Sequence, residues 1–540
     1  MLHVLPYAGA RRGILKQPEP AVPGGGAFVS RRPDIVLLVL DTQRCDRLSC
    51  YGYSRPTSPC LDELAAEATL FRRVFATAQW TIPSHASMFT GLYPSEHATN
   101  QSSAALPSGI PTLAERLREG GYMTAAFCNN PLVGVVNNGL RRGFESFLNY
   151  SGLLTSRPNQ AGAHPGLISR YRQWFKGRLA ATLNRIQNSF ARSEFMLEFA
   201  FTPLMVPIWQ TALSFKGNTP KSLSDAARLL IERRGVEPNQ PIFAFINLMG
   251  VHTPYHPDRR MLERFAPDVI RDREAARYVR RFNGDVFGWL APFSSIDERY
   301  HHVLSDVYDA EVATQDAHLG VFLRRMRESG ALDRTLLLVC ADHGDHLGEK
   351  GLVGHTVSVY NELIHVPLMV RDPDGDFPRG AVVDHPVSLR RVFHTLLSAA
   401  RLASGVERDR SLAQSPAADP DGGTVFSEAE PLQNVLGIML RRQPDRARAR
   451  RFDQPRRAVI NGSHKLIQTG EDQVELYDLD ADPRETVDLA AMLPERVEEL
   501  QARLSAFVRR ADATAPLIRR AEGVDDPTVQ RRLRELGYLE

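Results

Sequence analysis

Three largely apolar runs constrain this chain most, because each ends at a polar or ionisable residue. Residues 34–40 (DIVLLVL) lead into Asp41, 241–248 (PIFAFINL) into Gly250-Val251-His252, and 335–341 (TLLLVCA) into Asp342-His343-Gly344. Short runs rich in β-branched residues, with no polar alternation, read as strands buried on both faces, the signature of a parallel sheet covered by helices. In an open parallel sheet the carboxyl ends of the strands share one edge, and ligands bind there. Asp41, His252, Asp342 and His343 are far apart in sequence, yet this topology brings them to one edge. The plainer readings are a turn cap for Asp41 and a solvated loop residue for His252.

The segments between the runs carry the matching rhythm. Residues 61–71, 112–120, 222–234, 308–328 and 388–399 have helical periodicity, and 122–128 and 366–370 read as further strands. Alternation of this kind predicts an α/β fold with a mostly parallel central sheet. Asn129 and Asn130, closing the strand at 122–128, suit a ligand oxygen or a turn equally. Residues 1–32 read as a flexible tail, 33–400 as the main α/β domain, and 151–220 as a helical cap or insertion within it. Residues 401–424 are polar and read as a linker. Residues 425–493 read as a small α+β subdomain built from short strands, and 494–540 as a charged helical tail.

Composition removes several function classes. A net charge of +3 gives no global argument for nucleic acid. The five cysteines (Cys45, Cys50, Cys60, Cys128 and Cys340) are odd in number and form no CxxC pair, so free thiols in a reducing compartment are expected. The first 32 residues lack a signal-peptide core, and no run reaches the roughly 18 apolar residues of a membrane span, so the expectation is a cytoplasmic protein. Residues 170–213 pair a basic helical stretch with an apolar one broken by Pro203 and Pro207. Such a pair suits peripheral membrane contact, a cap on its own core, or a second subunit in a homo-oligomer; the cap is favoured.

A fourth candidate lies at Gln79 to Pro94, QWTIPSHASMFTGLYP. Pro83 has a fixed φ and no N–H, so it suits the first turn of a helix continued by Ala86, Ser87 and Met88. Thr81 then sits at the helix N-terminus, where free N–H groups and the dipole favour an anion such as phosphate or sulfate. Its plain alternative is an N-cap. Together Asp41, Asp342 and His343 supply two carboxylates and an imidazole, a set suited to a divalent ion, zinc or manganese before magnesium or calcium.

Thr81-Ile82-Pro83-Ser84-His85 resembles the active-site signature of the sulfatase family within the alkaline phosphatase superfamily. That signature has Cys or Ser where Thr81 stands and Arg where His85 stands. The resemblance extends to the opening string 41–71, to Gly250-Val251-His252-Thr253-Pro254-Tyr255, to 341–370, and to the end of the C-terminal subdomain with Glu475-Leu476-Tyr477-Asp478-Leu479. It implies an alkaline phosphatase-like three-layer sandwich, a metal held by Asp41, Asp342 and His343, and Thr81 as nucleophile. It further implies anion contact from His252, a transition-state or general-acid role for His355, and contact of His85 with the nucleophile loop or substrate. His97 and His346 are read as structural.

The departures bear on substrate. A threonine Cβ carries a methyl group, so oxidation cannot yield the formylglycine aldehyde of sulfatases, and no formylglycine is expected. Thr42 stands in place of the second aspartate of the family's Asp-Asp pair, which removes one charge and disfavours calcium. Family members with Thr at this position include phosphoethanolamine transferases and lipoteichoic acid synthases. The expectation is a hydrolase cleaving a small or lipid-like phosphodiester or phosphonate monoester through a Thr81 covalent intermediate. The alternatives are a sulfatase working without formylglycine, a phosphotransferase, and an inactive anion-binding homologue.

Overall fold

The computed structural model describes residues 32–102, 104–134, 136–151, 216–284, 298–415, 418 and 421–521. The insertion expected at 151–220, with its basic stretch at 170–213, lies almost wholly outside the described residues, as do the N-terminal tail and the end of the C-terminal one.

The three apolar runs form adjacent strands. β1 (Asp34–Leu40) is buried at every position, because it has a strand on each side and helices over both faces. Nine strands share its sheet: β1, β2 (Thr69–Phe75), β3 (Met123–Cys128), β4 (Ser146–Asn149), β5 (Ile242–Leu248), β6 (Thr335–Cys340), β9 (His365–Arg371), β10 (Val382–Val383) and β11 (Val387–Ser388). The order is β10-β2-β9-β6-β1-β5-β3-β4, with β11 beside β2. Only β9 pairs antiparallel, against β2 and β6; the other pairings are parallel. Between β6 and β9 a two-stranded hairpin, β7 (His346–Leu347) and β8 (Val353–Gly354), stands apart from the sheet. The register places Leu40 opposite Leu248 and Val39 opposite Cys340, so the residues after β1, β5 and β6 emerge at one level.

The helices fall into two packed groups, giving the three-layer arrangement expected. α1 (Pro59–Ala66), α4 (Thr219–Glu232) and α5 (His301–Glu328) form one; α2 (Thr81–Thr90), α3 (Leu113–Glu119) and α6 (Arg391–Ala399) form the other. The helix expected over 61–71 is corrected. α1 ends at Ala66, and Thr69, Leu70 and Phe71 belong to β2, where Leu70 and Phe71 are buried against the sheet. The β-branched and aromatic residues from Thr69 onward fill a strand slot that tertiary pairing offers, which overrides the local helical period. The helix expected over 388–399 likewise starts at Arg391, because Val387 and Ser388 pair with β2 as β11.

The C-terminal part is a four-stranded antiparallel sheet: β12 (Thr424–Ala429), β13 (Arg456–Asn461), β14 (His464–Thr469) and β15 (Gln473–Asp478). Two helices interrupt the expected run of strands, α7 (Gln433–Arg442) and α8 (Pro444–Ala449). Their apolar sides pack on Trp80 and Ile82 at the start of α2 and on Leu352 and Val357. The stretch read as a linker also carries a short helix, Gly405–Asp409, with Ser404 and Glu407 in a capping box. α9 (Pro494–Ala521) covers this sheet through Leu500, Leu504 and Phe507, the last stacked on Phe426 at 4.2 Å.

A buried carboxyl joins the two sheets. Glu428 N donates to Thr77 O at 2.9 Å, and Glu428 Oε2 accepts from Ser95 N and Oγ at 3.0 and 2.9 Å. Burial pushes the Glu428 carboxyl up to about 7, opposed by Ser95 and by Arg457. The folded state therefore holds a proton that the unfolded chain releases near 4.5, and parent stability falls as pH rises from about 5 to 7. In Glu428→Gln that loss is absent. The melting temperature of the variant relative to the parent is expected to climb between pH 5 and pH 8. A difference constant over that range would show that the carboxyl is ionised throughout.

Candidate active site

The carboxyl ends of β1 and β6 set two carboxylates and an imidazole face to face. Asp41, Asp342 and His343 are all fully buried, and one ligand atom from each lies within 4.8 Å of the others. Asp41 Oδ2 accepts from Asn130 Nδ2 at 2.5 Å, and Asp342 Oδ1 accepts from His343 N at 2.9 Å and Thr42 N at 3.2 Å. The second oxygen of each carboxylate, Asp41 Oδ1 and Asp342 Oδ2, has no hydrogen-bond partner among the described residues. His343 Nδ1 lies 2.9 Å from Gly344 O and donates to it, which leaves the Nε2 lone pair facing the carboxylates at 3.4 Å (Asp342 Oδ2) and 3.9 Å (Asp41 Oδ1). Two orphaned anionic oxygens and one imidazole lone pair, buried and convergent, fit a divalent cation. Burial and the nearby Asp41 charge push the Asp342 carboxyl well above the usual range. Asp41 also pays a burial penalty, but His252, His343, His85 and Asn130 outweigh it and lower its pKa.

The turn after β1 explains what the substituted aspartate position does. Thr42 has φ 59°, a strained value for a β-branched residue that costs about 1–3 kcal/mol. Its N–H holds Asp342 Oδ1, its hydroxyl donates to Asp41 O at 2.7 Å, and Tyr308 OH donates to its carbonyl at 2.6 Å. The Thr42 side chain thus braces the turn and contributes no ligand atom.

α2 delivers Thr81 to this cluster. Trp80 occupies the N-cap position without a side-chain cap, and Thr81 is the first helical residue, so the N-cap reading of Thr81 is not what the fold adopts. Thr81 Oγ1 lies 3.3 Å from His343 Nε2. Ser84, one turn on, donates from Oγ to Asp342 O at 2.7 Å and pins the helix to the end of β6. His85 is fully buried beneath the site. Its Nδ1 lies 2.9 Å from Thr81 O and 3.4 Å from Asp342 Oδ2, and its Nε2 lies 3.3 Å from Asn247 Nδ2. Burial lowers its pKa, so a neutral ring donating from Nδ1 and accepting at Nε2 satisfies both neighbours. His85 contacts α2 at the Thr81 carbonyl and is fully buried.

His252 and His355 stand over the cluster. The His355 ring lies 4.6 Å from that of His343 and 5.0 Å from that of His252. His355 Nδ1 is 3.2 Å from Asp345 Oδ1, and Tyr255 OH is 3.3 Å from the other oxygen of that carboxylate. Burial, then the charge of His355, lowers the pKa of His252 despite Asp41. All seven residues singled out in the sequence therefore gather at one sheet edge. His97 and His346 instead have partners elsewhere, Ser87 Oγ at 3.1 Å and Ser358 Oγ at 2.7 Å. Sequence reasoning missed Asn247 and Asp345. Asn247 was the one polar residue inside the run 241–248, and Asp345 lies three places after Asp342 in a string already singled out.

Comparison with known proteins agrees with this architecture. A family model described as Sulfatase matches residues 33–402. Steryl-sulfatase of Mus musculus is 27% identical over 436 residues, covering 72% of this chain and 64% of that protein. Choline-sulfatase of Rhizobium meliloti (strain 1021) is 24% identical, covering 83% of this chain and 80% of that protein. Among solved structures, phosphonate monoester hydrolase of Agrobacterium radiobacter superposes with a TM-score of 0.59 at 21% identity, covering 89% of this chain and 96% of that one. The family match runs from just before β1 to just beyond α6, the whole span that builds the nine-stranded sheet and its acidic edge, and on that match the chain belongs to the sulfatase family, of the alkaline phosphatase-like ester hydrolases.

Proposed function

We propose that this protein is a metal-dependent ester hydrolase that uses Thr81 as nucleophile on a phosphodiester or phosphonate monoester. The observation that carries this reading is the position of Thr81 Oγ1, on the first turn of a ten-residue helix and 3.3 Å from the imidazole nitrogen of the acidic cluster. A divalent ion held by Asp41, Asp342 and His343, zinc or manganese by ligand type, would lower the pKa of the Thr81 hydroxyl and polarise the ester oxygen. The chain's own groups do the rest. The Thr81 hydroxyl releases its proton to solvent, and its oxygen forms a bond to phosphorus as the ester P–O bond breaks, with α2's N-terminus stabilising the anion. His252 bonds the non-bridging oxygens, and His355 gives a proton to the departing oxygen. Water then displaces the threonine oxygen and restores the hydroxyl. His85 and Asn247 hold the helix carbonyl behind the nucleophile.

The names of the curated relatives favour a second reading, a sulfuric ester hydrolase. Such an enzyme would have to work without formylglycine, since Thr81 is a secondary alcohol. Transfer to an acceptor other than water is a variant of the first reading. Five free thiols fit a reducing, cytoplasmic setting, and no helix among the described residues is long and apolar enough to cross a membrane. The deciding experiment is turnover by the zinc- or manganese-loaded protein of matched aryl phosphodiester, phosphonate monoester and sulfate ester. Phosphoryl or phosphonyl turnover is expected; turnover of the sulfate ester alone overturns the phosphoryl reading.

A further inference from the structure

His355 reaches the acidic edge by way of the small hairpin that follows β6, and the register of that hairpin gives it a partner. β7 and β8 pair antiparallel, with His346 opposite Gly354 and Leu347 opposite Val353. The next pair outward along the same register is Asp345 and His355. Residues directly opposite in an antiparallel pair bring their Cβ atoms to about 4.5–5.5 Å, within reach of each other's side chains. The two side chains meet, His355 Nδ1 lying 3.2 Å from Asp345 Oδ1. Asp345 is itself held in place. Gly344 presses its backbone against that of Glu362, where an added Cβ would collide with Glu362 O. Arg44 Nη1 donates to Asp345 O at 3.0 Å, and Tyr255 OH donates to Asp345 Oδ2 at 3.3 Å. Tyr255 is fixed in turn, its ring stacked on Phe282 at 5.5 Å and its N–H donating to Asn283 Oδ1 at 2.8 Å. The Asp345 side chain is 1% exposed, whereas that of His355 keeps 17%, so the imidazole is the open end of the pair. A carboxylate oxygen only accepts, so the contact places a proton on His355 Nδ1 and stops the ring from turning over. Nε2 makes no hydrogen bond among the described residues.

We propose that Asp345 is the positioning residue of His355: it holds Nδ1–H and so presents Nε2 to the departing ester oxygen. Its place in the reaction rests on the hydrolase reading, whereas the pairing itself does not. As Thr81 bonds to phosphorus, the Nε2 proton passes to the leaving oxygen, which departs as an alcohol. The ring is left neutral, with its remaining proton on Nδ1 against Asp345. Water then attacks phosphorus and returns a proton to Nε2, so the ring ends each cycle as it began. A plain buried strut between the hairpin and Tyr255 would instead slow every ester alike.

Asp345→Asn keeps the shape of the side chain and removes its charge. Phenyl and dinitrophenyl esters of whichever acid the parent cleaves are compared, because phenolate needs a proton to leave and dinitrophenolate does not. The replacement is expected to lower kcat/KM about thirtyfold on the phenyl ester and by no more than about twofold on the dinitrophenyl ester. In a His355→Ala background it is expected to cost no more than about twofold on either. An equal fall on both esters, or the same factor with and without His355, overturns the proposal and leaves a strut. The pairing is also read without turnover or any change at Asp345. Nitrogen NMR of the parent carrying isotope-labelled histidine, with His355 assigned by its loss in His355→Ala, reports which ring nitrogen bears a proton. A proton on Nδ1 is expected. A bare Nδ1 with the proton on Nε2 overturns the pairing even if every ester is turned over, so its failure and that of the hydrolase reading are seen separately.

Discussion

Thr81→Ala is expected to lower kcat/KM on every ester the parent cleaves by at least about 10³-fold, a loss of about 4 kcal/mol of transition-state stabilisation. The expectation follows from position. The Thr81 hydroxyl caps no helix and, among the described residues, meets one polar neighbour, His343 Nε2 at 3.3 Å, so its loss leaves the scaffold intact. Truncation at one buried site costs on the order of 1 kcal/mol of stability, which a protein of this size tolerates. Metal content and melting temperature should therefore stay near the parent values while turnover collapses. Thr81→Ser keeps the oxygen and should retain much of the rate, because α2 fixes the Cβ and the hydroxyl returns to nearly the same place. Parent-like turnover by Thr81→Ala would remove Thr81 as nucleophile. A fall of equal size in Thr81→Ser would point to the methyl group, and hence to packing.

Asp342→Asn carries the second large effect, and its two signs make it diagnostic. In the metal-free protein the Asp342 and Asp41 carboxylates are buried together, and burial plus Asp41 already drives Asp342 towards its neutral form. Asparagine removes that repulsion and keeps the bonds from Thr42 N and His343 N at the Oδ1 position, so the metal-free variant should melt at or above the parent temperature. With zinc or manganese the order reverses. Parent gains stability as ligand binds, about 2.7 kcal/mol at a hundredfold excess over Kd, and the variant gains little because it has lost one of two orphaned oxygens. Metal affinity should fall by at least about 100-fold and turnover with it. Melting curves with and without metal, beside direct metal analysis, read both signs. A variant that binds metal stoichiometrically at parent affinity would remove Asp342 from the ligand set.

Much of the site was legible because parallel sheets obey a positional rule. Asp41, His252 and Asp342-His343 each follow an apolar run, and adjacent β1, β5 and β6 carry them to one edge. The place of Thr81 at a helix start was legible from Pro83, while its reading as nucleophile came from the resemblance to the sulfatase signature. Element ends were harder. The 61–71 segment splits into α1 and β2 because strand pairing to β9 and β10 is a long-range gain that no local period reports. The helices α7 and α8 went unread for a related reason: their apolar faces are matched to Trp80 and Ile82, some 350 residues earlier in the chain (435 − 82 = 353 for Val435 and Ile82).

Residue chemistry and strand topology thus follow from the sequence, since apolar runs must be buried and polar residues that end them must surface at the ligand edge. Roles inside that edge were decided by tertiary structure. Two carboxylates become a cation site only where folding leaves one oxygen of each without a donor, and that depends on Asn130 reaching Asp41 and Thr42 N reaching Asp342 across the sheet. His85 becomes a brace beneath Thr81, and His355 a residue above it, through distances that a linear string does not encode.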